Sequence, residues 1–272
     1  MHNPDVLDAL NARIVRCRRC PRLVAHREAA AATPPRRYRG QTYWARPLPG
    51  FGDPNARLLL VGLAPAAHGG NRTGRIFTGD ESGHWLFRAL YEAGFATQPT
   101  STHRDDGLQL RDAYVTATIR CAPPANKPLP AEIANCEPYL REELELLSRV
   151  RVVVGLGRVG WLAYLRARRV LGRGLPRPLP RFAHGAAVTF DDGVTLIGSY
   201  HPSQQNTFTG KLTRAMLRDV FTKARRLLRA NERATGRRLA GRPTINQPDR
   251  TAAVGAPRRR GSLRASDLRE RS

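Results

Sequence analysis

The residues of this sequence equipped for chemistry are four cysteines and three polar loops. Cys17 and Cys20 form a C-x2-C pair, and Cys121 and Cys136 form a second pair with 14 residues between them. Four thiolates in two pairs suit a metal site, because both zinc and a [4Fe–4S] cluster accept four cysteine ligands. Spacing leaves the metal open, and buried cysteines that bind nothing remain the plain alternative. Either metal would pin the N-terminal helix to the middle of the chain, a structural task that calls for no redox step.

The stretch from Gly62 to Asp80, GLAPAAHGGNRTGRIFTGD, is rich in small residues that let a backbone come close to a ligand. No Gly-Lys-Ser/Thr ends it, so it is not a Walker loop. Phe77 sits among glycines and polar residues, where it can stack on a planar base or anchor the core. Asp80 can direct a water, stabilise a developing cation, or cap the helix that follows. His68 can contact phosphate. A second loop, HPSQQN from His201 to Asn206, follows the final strand. A His placed there can donate a hydrogen bond to a leaving base, and Ser203, Gln204, Gln205 and Asn206 can fill a gap in a duplex and touch the flanking strand. An ordinary polar turn is the alternative. Lys211, Arg214 and Arg218 then extend along a helix, facing phosphates or only solvent.

The elements that must position these loops follow from hydrophobic periodicity. Continuous apolar runs at Arg57–Gly62, Ala113–Ile119 and Arg151–Gly155 predict strands buried on both faces. Ala187–Phe190 with Val194–Ser199 predicts a hairpin-like pair. Helices are predicted over Asp5–Arg16, Gly83–Gly94, Ala131–Ser148, Trp161–Leu171 and Phe208–Ala230, the last basic and amphipathic. Ala29–Pro49 reads as an extended loop. Strands alternating with helices predict an α/β sandwich with a largely parallel sheet. Ligands of such sheets bind beyond the carboxyl ends of the strands, so the loops after Gly62, Cys121 and Tyr200 should converge on one edge.

Composition sets the partner class. The formal charge is +24 on 272 residues, with hydrophobic content of 41%. A polyanion such as DNA is the expected partner, through counterion release. No long apolar run is present, so a membrane is not expected as partner. Met1 to Arg16 is too polar for a secretory signal, and the chain is expected in the cytoplasm, associated with the nucleoid, acting as a monomer. Residues 231–272 hold 11 Arg and four acidic residues, about +7 of the total. They read as a basic, disordered tail behind a domain spanning 1–230, which is itself strongly basic.

Taken together, the Gly62–Asp80 loop, CAPPAN from Cys121 to Asn126, and HPSQQN from His201 resemble the uracil-DNA glycosylase superfamily, most closely its type 5 (UDGb) branch. The similarity runs from about Leu7 to Leu228. It implies a three-layer α/β/α sandwich and a [4Fe–4S] cluster on Cys17, Cys20, Cys121 and Cys136. It also implies hydrolysis of the N-glycosidic bond of a flipped uracil, and of deaminated purines such as hypoxanthine and xanthine, in damaged duplex or single-stranded DNA. The type 4 branch carries an acidic residue directly after its first-strand Gly. Leu63 and Ala64 stand there in this chain, a gap that the type 5 branch shares. By the same resemblance, Asp80 takes over part of that role and His201 donates to the leaving base. Phe77 stacks on the base, Asn126 reads it, and backbone groups of Ala64, Pro65 and Ala66 line the pocket. His68, Asn71, Arg72, Ser203, Gln204, Gln205, Asn206 and Lys211 are the expected DNA contacts. Two rivals are a non-catalytic nucleic-acid-binding protein on the same fold and a zinc-stabilised nucleotide hydrolase.

Overall fold

The computed structural model describes residues 3–240, with side chains for 5–232. The elements in chain order are α1 (Asn3–Val15), α2 (Pro21–Ala32), β1 (Phe51–Gly52), β2 (Leu58–Gly62), α3 (Gly70–Thr73), α4 (Glu81–Glu92), β3 (Ala113–Ala117), α5 (Pro130–Leu146), β4 (Val152–Leu156), α6 (Gly157–Val170), β5 (Ala187–Thr189), β6 (Thr195–Ser199), α7 (Gln204–Phe208) and α8 (Arg214–Ala240). One six-stranded sheet has the order β1-β3-β2-β4-β6-β5. The four central strands are parallel, and the short edge strands β1 and β5 run antiparallel.

The central strands are buried at every position, which is why their sequences are unbroken apolar runs rather than alternating ones. Alternate residues serve opposite faces. Leu58 and Leu60 pack with Leu86, Phe87 and Leu90 of α4 and with Leu217, Val220 and Phe221 of α8. Leu59 and Val61 pack with Leu10 and Ile14 of α1, Leu140 and Leu144 of α5, and Trp161 and Tyr164 of α6. The result is the expected three-layer α/β/α sandwich. From β2 the chain first moves outward to β3, then crosses back to β4. The switch point therefore lies between β2 and β4, and the crevice beyond their carboxyl ends is where such a sheet binds ligands.

The structure departs from the sequence expectations in four places. The stretch read as loop from Ala29 begins inside α2, whose Pro21 occupies the first turn, where a missing N–H costs nothing. A single turn of helix, α3, interrupts the Gly62–Asp80 loop. The helix expected from Phe208 is broken: α7 ends at Phe208, Gly210 turns with a left-handed φ of 69°, and α8 starts at Arg214. The last helix also continues to Ala240, ten residues into the segment read as tail, while residues 241–272 of that tail lie outside the described residues. No helix among the described residues is long and apolar enough to cross a membrane.

Candidate active site and thiol site

A cavity of about 470 Å³ opens at the switch point. Leu63 lines it from the end of β2, Leu156, Gly157 and Val159 from the β4–α6 turn, and Tyr200, His201 and Asn206 from the loop after β6. Arg158, Phe182 and Lys211 complete the wall. The lining surface is mostly apolar, with the buried His201 imidazole set into it and the side chains of Arg158 and Lys211 exposed.

Phe77 and His201, 124 residues apart in sequence, meet here. Their ring centroids are 5.6 Å apart at an interplanar angle of 33°. Phe77 has a left-handed φ of 53°. Its ring lies so close over Gly62 that a Cβ at that glycine would stand 2.7 Å from it. Gly62 is thus required by contact, and Phe77 is a core anchor that also packs against His201 of the pocket wall. Burial pushes the His201 imidazole down to about 4, so the ring is neutral at physiological pH. Asn206 holds its backbone by donating from Nδ2 to the His201 carbonyl at 2.8 Å.

Asp80 caps α4: its Oδ1 accepts from the Gly83 N–H at 2.9 Å. Its other oxygen abuts Gly69, where a Cβ would come within 2.1 Å. Burial raises the carboxyl above the ordinary value, and the Gly83 N–H bond, His84 and Arg72 partly offset this. Capping and a chemical role are not exclusive, since the second oxygen makes no hydrogen bond to the protein among the described residues. Asn126 stands apart. It lies in a single 3-10 turn with a left-handed φ of 56°, its side chain is exposed, and no side-chain hydrogen bond joins it to Phe77, Asp80 or His201.

The cysteines form a second site on the same edge. Cys121, Cys136, Leu23 and Ile119 make a small buried patch, with Cys20 and Ala64 packed against it. Cys17 lies beside Tyr139 of α5, whose phenol is pushed up first by burial and then by Cys17. Burial, the largest cause, pushes the Cys121 thiol up to about 12 and Cys136 up to about 11, and Cys17 is a further negative neighbour of both. Among the described residues no three His, Cys, Asp or Glu side chains form a ready cage for one metal ion. The surroundings nevertheless suit an anionic thiolate group. Arg27 is 2% exposed, donates to Cys121 Sγ at 3.1 Å, and leaves its Nε without a partner. Its nearest carboxylate, Glu28, is 3.9 Å away. A buried guanidinium so poorly matched by carboxylate is costly unless sulfur carries the compensating charge. Arg22 brackets Glu132 at 2.8 and 2.9 Å, tying α2 to α5 and so Cys20 to Cys136. The buried Arg120–Glu143 pair, at 2.5 Å, does the same for the strand end before Cys121.

The model of the Uracil DNA glycosylase superfamily matches residues 49–225. The chain belongs to that superfamily. It is similar to the type-5 uracil-DNA glycosylase of Mycobacterium tuberculosis, with 50% identity over 219 residues, 80% of each chain. Against the type-5 uracil-DNA glycosylase of Thermus thermophilus, identity is 52% over 211 residues, 78% of this chain and 93% of the relative. A type-4 uracil-DNA glycosylase of Thermotoga maritima is 25% identical over 173 residues, 63% of this chain and 78% of the relative.

Several residues expected on the DNA face of this uracil-DNA glycosylase superfamily member instead build its loop. Asn71 is 1% exposed, and its Nδ2 donates to the carbonyls of Arg27 and Ala67, so it links the loop to the thiol site and cannot reach a phosphate. Arg72 spends its guanidinium on the His68 and Gly79 carbonyls, on Gln41 and on the Tyr38 ring. His68 is bonded through Nδ1 to the Tyr43 hydroxyl and is held below its ordinary value, first by burial and then by Arg37 and Arg72. Ala66 offers its carbonyl to Gly69 and Asn71, Pro65 is buried beside Gly70, and Ala64 faces the cysteines. Leu63 is the pocket wall from this loop. Gln204, Gln205 and Lys211 are exposed as expected, with Ser203 half-buried at the start of α7. Gly157, Val159 and Phe182 were missed; the glycine after the third predicted strand was a usable signal for the first two.

Proposed function

We propose that the chain is a uracil-DNA glycosylase of base excision repair that draws a damaged nucleotide out of DNA and hydrolyses its N-glycosidic bond. The observation that carries this reading is the Phe77–His201 pair beside an apolar cavity at the sheet's switch point. A flat ring can lie along Phe77 while its polar edge meets the imidazole. Bond cleavage moves negative charge onto the base and positive charge onto the sugar. A neutral His201 donates an N–H to the base without having to lose a proton first, and the surrounding apolar wall strengthens that bond. The unpaired Asp80 oxygen supplies the group that favours the sugar cation and orients water.

Leu63 in place of a carboxylate leaves electrostatics as the main resource. Discrimination then rests on cavity shape, so hypoxanthine and xanthine join uracil as substrates, in duplex or single-stranded DNA. Cys17, Cys20, Cys121 and Cys136 would hold a [4Fe–4S] cluster, which supplies a cross-brace between α1, α2, the β3 end and α5 rather than a reactant; the enzyme acts as a monomer. Single-turnover release of uracil from an oligonucleotide tests the roles. His201→Ala and Asp80→Ala are each expected to slow it about 100-fold or more, the scale of losing one oriented electrostatic group. Wild-type rates in both variants would overturn the assignment.

A further inference from the structure

Phe77 is an aromatic residue held at a left-handed φ of 53°, a conformation that an L side chain keeps only where its surroundings over-determine it. Gly62 lies under its ring, and Gly83 of α4 leaves room for its carbonyl, where a Cβ would come within 2.0 Å. The third restraint is Arg75, which is 4% exposed. Its Nε donates to Thr78 Oγ1 at 3.0 Å, a strap across Ile76 and Phe77. Its Nη2 donates to Ser101 Oγ at 2.7 Å and to Asp106 Oδ2 at 2.6 Å, and its Nη1 donates to the Arg104 carbonyl at 3.2 Å. Thr78 and Ser101 are fully buried, with their hydroxyls 2.6 Å apart. The Gly79 N–H closes the frame by donating to the Ser101 carbonyl at 3.1 Å. Ser101 is the one buried residue in the exposed stretch 99–105 between α4 and β3. Burial raises the Asp106 carboxyl, but Arg75 and the N–H groups of Thr102, Leu108 and His103 hold it down at about 2, so it stays ionised at neutral pH.

We infer that Arg75 is a positioning residue of base release: anchored by Asp106 and Ser101, it holds the 76–79 turn so that the Phe77 ring stays against His201 and along the base. The inference rests on the glycosylase reading above and adds to it the group that keeps the stacking surface in place. Arg75 does not line the cavity and acts through Phe77. A planar guanidinium suits this task, because one rigid fork meets two hydroxyls, a carboxylate and a carbonyl at once. A Lys ammonium on its flexible stem would keep the carboxylate and release the strap.

The test uses the full chain in single-turnover uracil release at saturating protein, with the DNA dissociation constant measured separately. Arg75→Gln is expected to slow release about tenfold or more with binding little changed, the scale of a misplaced positioning group. Arg75→Lys should fall between it and wild type. Ser101→Ala, which keeps the ion pair, should slow release in the same direction, and it takes the place of Arg75→Gln in each comparison if that variant does not fold. In a Phe77→Ala background, Arg75→Gln is expected to add less than about a twofold loss, because both changes act through one ring. Histidine-ring NMR supplies a reading that lost stability alone would not move: Arg75→Gln should shift the His201 resonances toward their positions in Phe77→Ala. Arg168→Gln, which breaks the Arg168–Asp192 pair on the opposite face of the sheet, should lower the melting temperature and leave rate and resonances unchanged. Wild-type release in Arg75→Gln and Ser101→Ala, an undiminished Arg75→Gln effect in the Phe77→Ala background, unmoved His201 resonances, or an equal slowing by Arg168→Gln each overturn the inference. A wild-type protein inert on uracil-containing DNA brings down the glycosylase reading and the positioning role with it, and so is distinct from an active wild type that the substitutions leave unaltered.

Discussion

The thiol site and the cavity lie on one edge of one sheet, yet they treat buried polar groups in opposite ways. At the thiol site a guanidinium is brought in: Arg27 is sunk beside Cys121 with little carboxylate to match it. At the cavity a titratable group is held uncharged: burial keeps the imidazole of His201 neutral, while the cations among the lining residues, Arg158 and Lys211, are exposed. The first arrangement suits something held permanently, since a buried cation is stable only with a constant counter-charge. The second suits something that comes and goes, since an apolar cavity is vacated without leaving an unpaired ion behind.

The sharpest way to break this contrast is to exchange stability for activity at the two sites. With the proposed cluster in place, Cys121→Ser is expected to lose it and several kcal/mol of stability, because metal binding free energy is folding free energy. Visible absorbance and thermal unfolding read both. His201→Ala should melt close to wild type, and a collapse there would erase the distinction. Arg27→Gln comes next. It is expected to destabilise the fold by about 3 kcal/mol, the scale of disrupting a buried charge arrangement, and to hasten loss of any thiol-bound metal to a chelator. Uracil release per metal-loaded molecule should stay unchanged.

Acidity separates the two titratable groups assigned to the chemistry. The folded His201 value lies near 4, below that of the unfolded chain. Its contribution to stability is therefore complete above about 6.5 and is lost as pH falls from there toward 4. Asp80 has the opposite sign: its folded value is raised, so its contribution is complete below the unfolded value and is lost as pH rises through the folded one. Denaturant melts of His201→Ala and Asp80→Ala against wild type, across pH 3 to 8, should diverge in opposite directions. A shared pH trend would show that the environments do not differ as described. The smallest effect is expected at Asn71→Ala, about 1 kcal/mol for two bonds to backbone carbonyls, read as faster amide exchange in residues 63–80.

Much of this molecule was legible from its residues because burial on both faces leaves a plain mark. The runs at Arg57–Gly62 and Arg151–Gly155 read as central strands, and the sheet rule then placed the loops after Gly62 and Tyr200 on one edge. Phe77 and His201 accordingly met. What stayed hidden depends on contacts far apart in sequence or on elements too short for periodicity. Asn71 looked like a surface polar residue because its partner, the Arg27 carbonyl, lies 44 residues away. Arg72 looked free because its acceptors are two backbone carbonyls of its own loop and the side chain of Gln41, 31 residues away. β1, two residues long, has no pattern to read. The Ala-rich end of α2 carried a helix signal, an alanine run behind a Pro-initiated turn, that the neighbouring Thr-Pro-Pro stretch obscured. Gly210 was the signal that split α7 from α8.

The bond from Asn71 to the Arg27 carbonyl has a thermodynamic consequence. Arg27 leans on the Cys121 sulfur, and Asn71 leans on Arg27, so the order of the cysteine region and the order of the Gly62–Asp80 loop are coupled through two adjoining contacts. Coupling of this kind is reciprocal. Whatever firms the sulfur end firms the loop, and a ligand that orders the loop must, by the same free energy, tighten the binding of whatever the sulfurs hold.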